Sequence, residues 1–315
     1  MTPFELIPPI KDYIWGGTKL REEFGKESSL ERLAESWELS CHKDGMSVIG
    51  SGEFSGTTLA ELIKDRPEIV GGGRTELPVL VKLIDARNDL SIQVHPDDAY
   101  AQAHEGDNGK TEMWYIVDCE PGAELVYGFS RDITKEEFRR AIEEDTLMGC
   151  VDRVPVKKGD VFFITPGTLH AIGKGILIAE IQQSSNVTYR VYDYGRLGAD
   201  GKPRELHIEK AVEVTNTRRS APYAPAEPVA LGTSLLTVLA KCRYFTASKA
   251  EIRGEMSLGE LTEESFVHIL CIDGEGELTF EGGSIGLKKG SSVFVPAGTK
   301  ACYIKGKCCV IATSL

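Results

Sequence analysis

Two histidines and a glutamate, far apart in the chain, could bring nitrogen and oxygen donors to one point. His95 stands in Gln93-Val94-His95-Pro96, Glu112 opens an apolar run, and His170 follows a Pro-Gly turn. Two imidazoles and one carboxylate leave a coordination position open, as catalytic zinc sites do. Iron, manganese and cobalt accept the same donors, so the set defines a divalent site before it defines a metal. Residues two apart in a strand project to the same face. Gln93 therefore projects with His95, and Lys110 with Glu112, which sets an amide and a cation beside the three donors.

Such a set needs a β-rich frame, and the sequence supplies one. Short apolar runs punctuated by Gly and Pro occur at residues 77–83, 112–117, 160–165, 176–181, 266–272 and 292–295. That spacing predicts a sandwich or barrel. Helices are few. Thr58 with Glu61 and Thr134 with Glu137 each have capping-box spacing, in which a hydroxyl and a carboxylate satisfy orphan amides. A third helix is expected over residues 207–216. Arg139-Arg140 reads as part of a solvated helix face, and Gly71-Gly72-Gly73 as a flexible loop without the phosphate-binding Lys-Ser/Thr ending.

The chain also repeats itself. Residues 112–127 (EMWYIVDCEPGAELVY) parallel 265–280 (SFVHILCIDGEGELTF), each read as strand, Gly-containing turn and strand. Residues 158–170 (KGDVFFITPGTLH) parallel 289–301 (KGSSVFVPAGTKA). Two copies of one β-barrel unit follow, joined by the proline-rich stretch 218–228. The expected boundaries are 1–217 for a metal-binding catalytic domain, 218–234 for a linker and 235–315 for a second domain. In the second copy Ser265 replaces Glu112 and Ala301 replaces His170. His268 aligns with Tyr115, an odd number of residues from the Glu112 position, and so belongs to the other sheet face. One metal per chain is expected, in the first copy.

Composition narrows the partners. A formal net charge of −12 argues against a nucleic-acid ligand. A small anionic substrate would need a local group of cations. No segment reaches the roughly 20 apolar residues of a membrane span, and MTPFELIPPI has no signal-peptide pattern. Eight cysteines without a CxxC pair read as reduced core residues. A cytoplasmic protein is expected, as a monomer or homodimer.

The paired turns resemble those of the cupin superfamily, small jelly-roll barrels that often hold a metal. The segments LSIQVHPD (90–97), GKTEMWY (109–115), PGTLHA (166–171) and EIQQSSNVTYRVYDYGR (180–196) closely resemble type I mannose-6-phosphate isomerases. So do YIWGG (13–17) and ESWE (35–38), and the matches run in order from about residue 5 to 210. The resemblance implies a mainly β fold of two cupin-type jelly-roll barrels with a few short helices. It implies a short bacterial form of a metal-dependent aldose–ketose isomerase, interconverting mannose 6-phosphate and fructose 6-phosphate through an enediol(ate). It makes His95, Glu112 and His170 ligands of one zinc ion, and Arg190 the catalytic arginine. Gln93 occupies a fourth-ligand position of longer relatives; here it is placed with Ser91 and Lys110 in the substrate pocket, and its ligation stays open. Glu180 is the first candidate for the base, with a metal-bound water and Lys110 as the others. The competing reading is a non-catalytic metal-cupin that binds sugar phosphate for regulation.

Overall fold

The structure, a computed structural model, describes residues 1–198, 201–259 and 261–315. Contacts gather the chain into two units. One comprises Asp12–Gly17 and Ile84–Ala224, the other Met1–Lys11, Thr18–Leu83 and Pro225–Leu315. This grouping differs from the chain-order boundaries 1–217, 218–234 and 235–315. The reason is strand pairing: Phe4–Ile7 adds to Ser292–Val295, with Phe4 opposite Phe294. Phe4, Phe294 and Phe266 then stack in series. Val229–Leu231 also forms a hairpin with Ser234–Lys241, so the end of the expected linker is strand.

The unit holding the candidate residues is built from two sheets. The first runs in the order Val151–Pro155, Glu124–Phe129, His170–Ala171, Ile92–Val94, Tyr189–Tyr192. Its alternation is clean. Ile92, Val94, Ala171, Tyr189 and Val191 join a buried cluster with Phe129, Phe138 and Ala211. The helices Lys135–Glu143 and Ile208–Val214 bury Phe138, Ala141, Ile142, Ala211 and Val212. The intervening residues Gln93, Arg190 and His170 are therefore left for the opposite face. In the second sheet Glu112–Cys119 lies between Val161–Ile164 and Ile176–Gln183.

Both capping boxes form, on Leu59–Asp65 and Lys135–Glu143. The third helix spans Ile208–Val214. Arg139 lies on the exposed helix face, paired with Glu209. The triple glycine lies in a turn outside helices and strands, as a loop would, and packs closely at its first residue. Gly71, Gly72 and Gly73 all have positive φ, and a Cβ on Gly71 would lie 2.6 Å from the Ser265 amide nitrogen. That backbone approach admits no side chain.

The internal repeat survives as topology, with two differences. In the second copy the expected turn is absent, because Val267–Phe280 is one continuous strand. A register break between Cys271 and Asp273, with Gly274 at φ +73, bends it instead. The pairing also shifts the alignment by two residues. Ile164 lies opposite Glu112, whereas Val295 lies opposite Val267 rather than Ser265. A shift of two keeps the face, so the Glu112 position is held by an apolar residue and His268 still projects to the other side. His268 is fully buried and its Nε2 lies 2.8 Å from Ser292 Oγ.

Candidate metal centre and active site

The two sheets deliver their polar side chains toward each other. From the first come His170, Gln93 and Arg190, in a row across three adjacent strands: His170 is opposite Gln93, and Gln93 is opposite Arg190. From the second come Glu112 and Gln182, directly opposite one another, and Trp114 and Glu180, opposite one another and one pleat further on. His95 stands one residue beyond the strand Ile92–Val94.

His95, Glu112 and His170 converge, with one ligand atom from each lying within 4.8 Å of the others. All three are buried, none more than 1% exposed. The two Nε2 atoms are 3.1 Å apart. Glu112 Oε1 lies 3.2 Å from His170 Nε2, and Oε2 lies 3.7 Å from His95 Nε2.

The tautomers decide what this triad can do. Each ring donates its Nδ1–H to a backbone carbonyl, His95 to Val187 and His170 to Thr168, both at 2.8 Å. In the neutral ring Nε2 is then an acceptor. Burial pushes the His170 imidazole down to about 4, with Lys110 also acting against its charge, so the ring is neutral near pH 7. The His170 lone pair and the Glu112 carboxylate thus face one another in a buried space, with His95 Nε2 3.1 Å from the His170 ring nitrogen. They repel unless a cation lies among them, and the donor set fits a divalent metal with one corner left for substrate.

Lys110 and Glu180 complete the wall. Lys110 Nζ is 2.9 Å from Glu112 Oε2 and 3.7 Å from Glu180 Oε1. Lys110 precedes the strand that opens at Glu112, yet the two side chains still meet. The Trp114 indole donates to Glu180 Oε2 at 2.9 Å, and its ring meets His170 edge-on at 5.2 Å. Glu180 thus anchors to Trp114, while both histidines are oriented by main-chain carbonyls. Arg190 Nε donates to Ser91 Oγ at 3.2 Å and Nη1 to the Glu205 carbonyl at 3.0 Å. Burial lowers the Arg190 pKa, with Arg204 adding to the effect, and the guanidinium stays charged in the neutral range.

Two residues escaped the sequence reading. Trp114 lies two positions from Glu112, so its shared face was available as a signal. Gln182 is fully buried and gives both amide hydrogens to the carbonyls of Gln183 and Ser185. Only the pairing with Glu112 marks it.

Metal donors held between the sheets of a β-sandwich define a metal-binding cupin. Residues 4–125 match the catalytic domain of type I phosphomannose isomerase, and residues 235–315 match the cupin domain of mannose-6-phosphate isomerase. A mannose-6-phosphate isomerase from Streptococcus mutans is 39% identical over 312 residues, covering 99% of this chain and 98% of the relative. The Bacillus subtilis mannose-6-phosphate isomerase ManA is 40% identical over 308 residues, covering 96% of each. A crystal structure of a Bacillus subtilis mannose 6-phosphate isomerase superposes with a TM-score of 0.93 at 39% identity, over 99% of both chains. A phosphomannose isomerase variant from Salmonella typhimurium shares the fold, at a TM-score of 0.81 and 18% identity over 99% of both chains. The chain belongs to the type I mannose-6-phosphate isomerase family. Among the described residues, no helix is long and apolar enough to cross a membrane.

Proposed function

We propose that this chain interconverts mannose 6-phosphate and fructose 6-phosphate, with one zinc ion held by His95, Glu112 and His170. The observation that carries the reading is the placement of a buried carboxylate and a buried ammonium, Glu180 and Lys110, immediately beside the metal triad. A proton must move between C1 and C2 of the open-chain sugar through an enediol(ate). Zinc, when bound, supplies Lewis-acid stabilisation of charge on the substrate oxygens. Glu180 carries the proton between the two carbons, its carboxylate fixed by the Trp114 indole. Lys110 donates to a substrate hydroxyl and balances the neighbouring carboxylates. Arg190, permanently cationic, stabilises negative charge on the substrate, and Ser91 and Gln93 line the pocket beside it. A binding protein alone would have no use for the buried Glu180–Lys110 pair, which favours the isomerase over the regulatory reading.

The same reading takes residues 1–217 as the catalytic cupin domain and 235–315 as a metal-free cupin. It places the enzyme in the cytoplasm as a monomer or homodimer. The test is a coupled assay of mannose 6-phosphate conversion with chelator and with zinc restored, beside elemental analysis. Turnover lost with chelator and recovered with zinc is expected. A zinc-replete protein without turnover would reject the isomerase.

A further inference from the structure

The triad and its flanking residues do not say where the phosphate of a sugar phosphate would be held, and the charge balance of the site does. At the Lys110 end the ammonium already lies between two carboxylates, at 2.9 Å and 3.7 Å. With Glu112 committed to the metal, a phosphate dianion brought there would still face the Glu180 carboxylate, and this is the end that the reacting carbons must occupy. At the Arg190 end the balance is reversed. Three guanidiniums, Arg190, Arg196 and Arg204, gather around a single buried carboxylate, Asp193, with Glu205 the other acidic residue acting on Arg190. Arg196 spends its nitrogens on the Asp193 side chain, the Asp193 carbonyl and the Asp89 carbonyl. Arg204 uses Nε and Nη2 on Asp193. Among the described residues, Arg190 Nη2 and Arg204 Nη1 have no protein acceptor. In a chain of net charge −12, three guanidiniums against two carboxylates among the described residues make a local basic cluster with donors to spare.

Its location fits the length of the substrate. Arg190 is two strands across from His170, by way of Gln93, and two strand spacings are about 9–10 Å. An extended six-carbon chain with its carbonyl end at the metal triad carries its terminal phosphate toward that second strand. Arg204 is 23% exposed, so the cluster opens to solvent where a charged group can enter. Planar guanidiniums with paired donors match phosphate oxygens in a way a lone ammonium does not.

We propose that Arg204, with Arg190 beside it and Asp193 holding it in place, anchors the substrate phosphate, and that Lys110 serves the sugar oxygens instead. This rests on the isomerase reading for the identity of the sugar, but the anion site can be tested without turnover. Calorimetric titration with inorganic phosphate and with mannose 6-phosphate should show binding to the wild-type protein. Arg204→Gln should weaken both by about ten- to a hundredfold, the range for one charge-assisted contact, with metal content unchanged. In steady state the same variant should raise KM by that factor and leave kcat within about threefold. Lys110→Met should lower kcat and leave phosphate affinity intact. Should Arg204→Gln fold poorly, Arg204→Lys, which keeps a cation against Asp193, should still weaken phosphate binding several-fold. Unchanged phosphate affinity in the Arg204 variants, or its loss in Lys110→Met, would overturn the assignment. A wild type that binds phosphate through Arg204 but never isomerises would leave the anchor standing and remove the isomerase.

Discussion

Replacing Glu112 by glutamine alters the charge of the proposed metal site while keeping its shape. In the wild type the carboxylate lies 3.2 Å and 3.7 Å from the two imidazole Nε2 atoms and is fully buried. A bound cation relieves that crowding, so metal and fold should stabilise one another. At free metal of about a thousand times Kd, the linkage is worth about 4 kcal/mol. For a chain of this size each kcal/mol moves the melting temperature by about 1.5 °C, so chelation should lower it by about 6 °C. In Glu112→Gln the amide contributes no charge, and the chelator-dependent shift should shrink to about 2 °C or less. The chelated variant should melt close to the chelated wild type, because Lys110 keeps Glu180 at 3.7 Å and the side-chain volume is retained. Thermal melts with and without chelator, paired with metal analysis, read both effects. A variant that keeps one equivalent of metal and the full chelator shift would refute the three-donor site.

Arg190→Ala should retain metal but lose turnover by about a hundredfold or more, the cost of removing a charge stabiliser; elemental analysis with the coupled assay checks it, and near wild-type turnover removes the role. His268 gives a pH signature away from the site. Burial, with Lys26 as a lesser cause, pushes its imidazole down to about 3, against 6.5 for the free side chain. The unfolded chain therefore binds the proton first, so this contribution to stability is full above about pH 6.5 and is lost progressively as pH falls toward 3. Between pH 7.5 and 5 it amounts to about 2 kcal/mol. His268→Gln should flatten that part of the urea-midpoint profile, and a difference independent of pH would contradict it. Thr134→Ala removes the capping box of Lys135–Glu143 and should cost about 1 kcal/mol by chemical denaturation with no change in metal content.

Much of the site was legible before any coordinates. The strand period placed His95 with Gln93, and a comparison of the two repeats showed which copy had kept its donors. Capping boxes at Thr58 and Thr134 were readable because they are local, closed within four residues. The β-strands at 112–117 and 176–181 announced themselves by apolar runs whose length suits a strand.

Contacts between distant segments were decided only by the tertiary structure. No spacing rule says that Glu180 lies opposite Trp114 and accepts its indole hydrogen, because strand register depends on the packing of both sheet faces. The same holds for Val187, whose carbonyl fixes the His95 tautomer across 92 residues of chain. The N-terminal strand Phe4–Ile7 joins a sheet formed near the other end of the sequence, which a domain division read in chain order does not anticipate. Residue types and short-range periodicity thus determined which side chains could bind a metal and which faces they shared. Long-range pairing determined their partners, their protonation and the uneven charge along the pocket, since those depend on groups brought together only when the two sheets close.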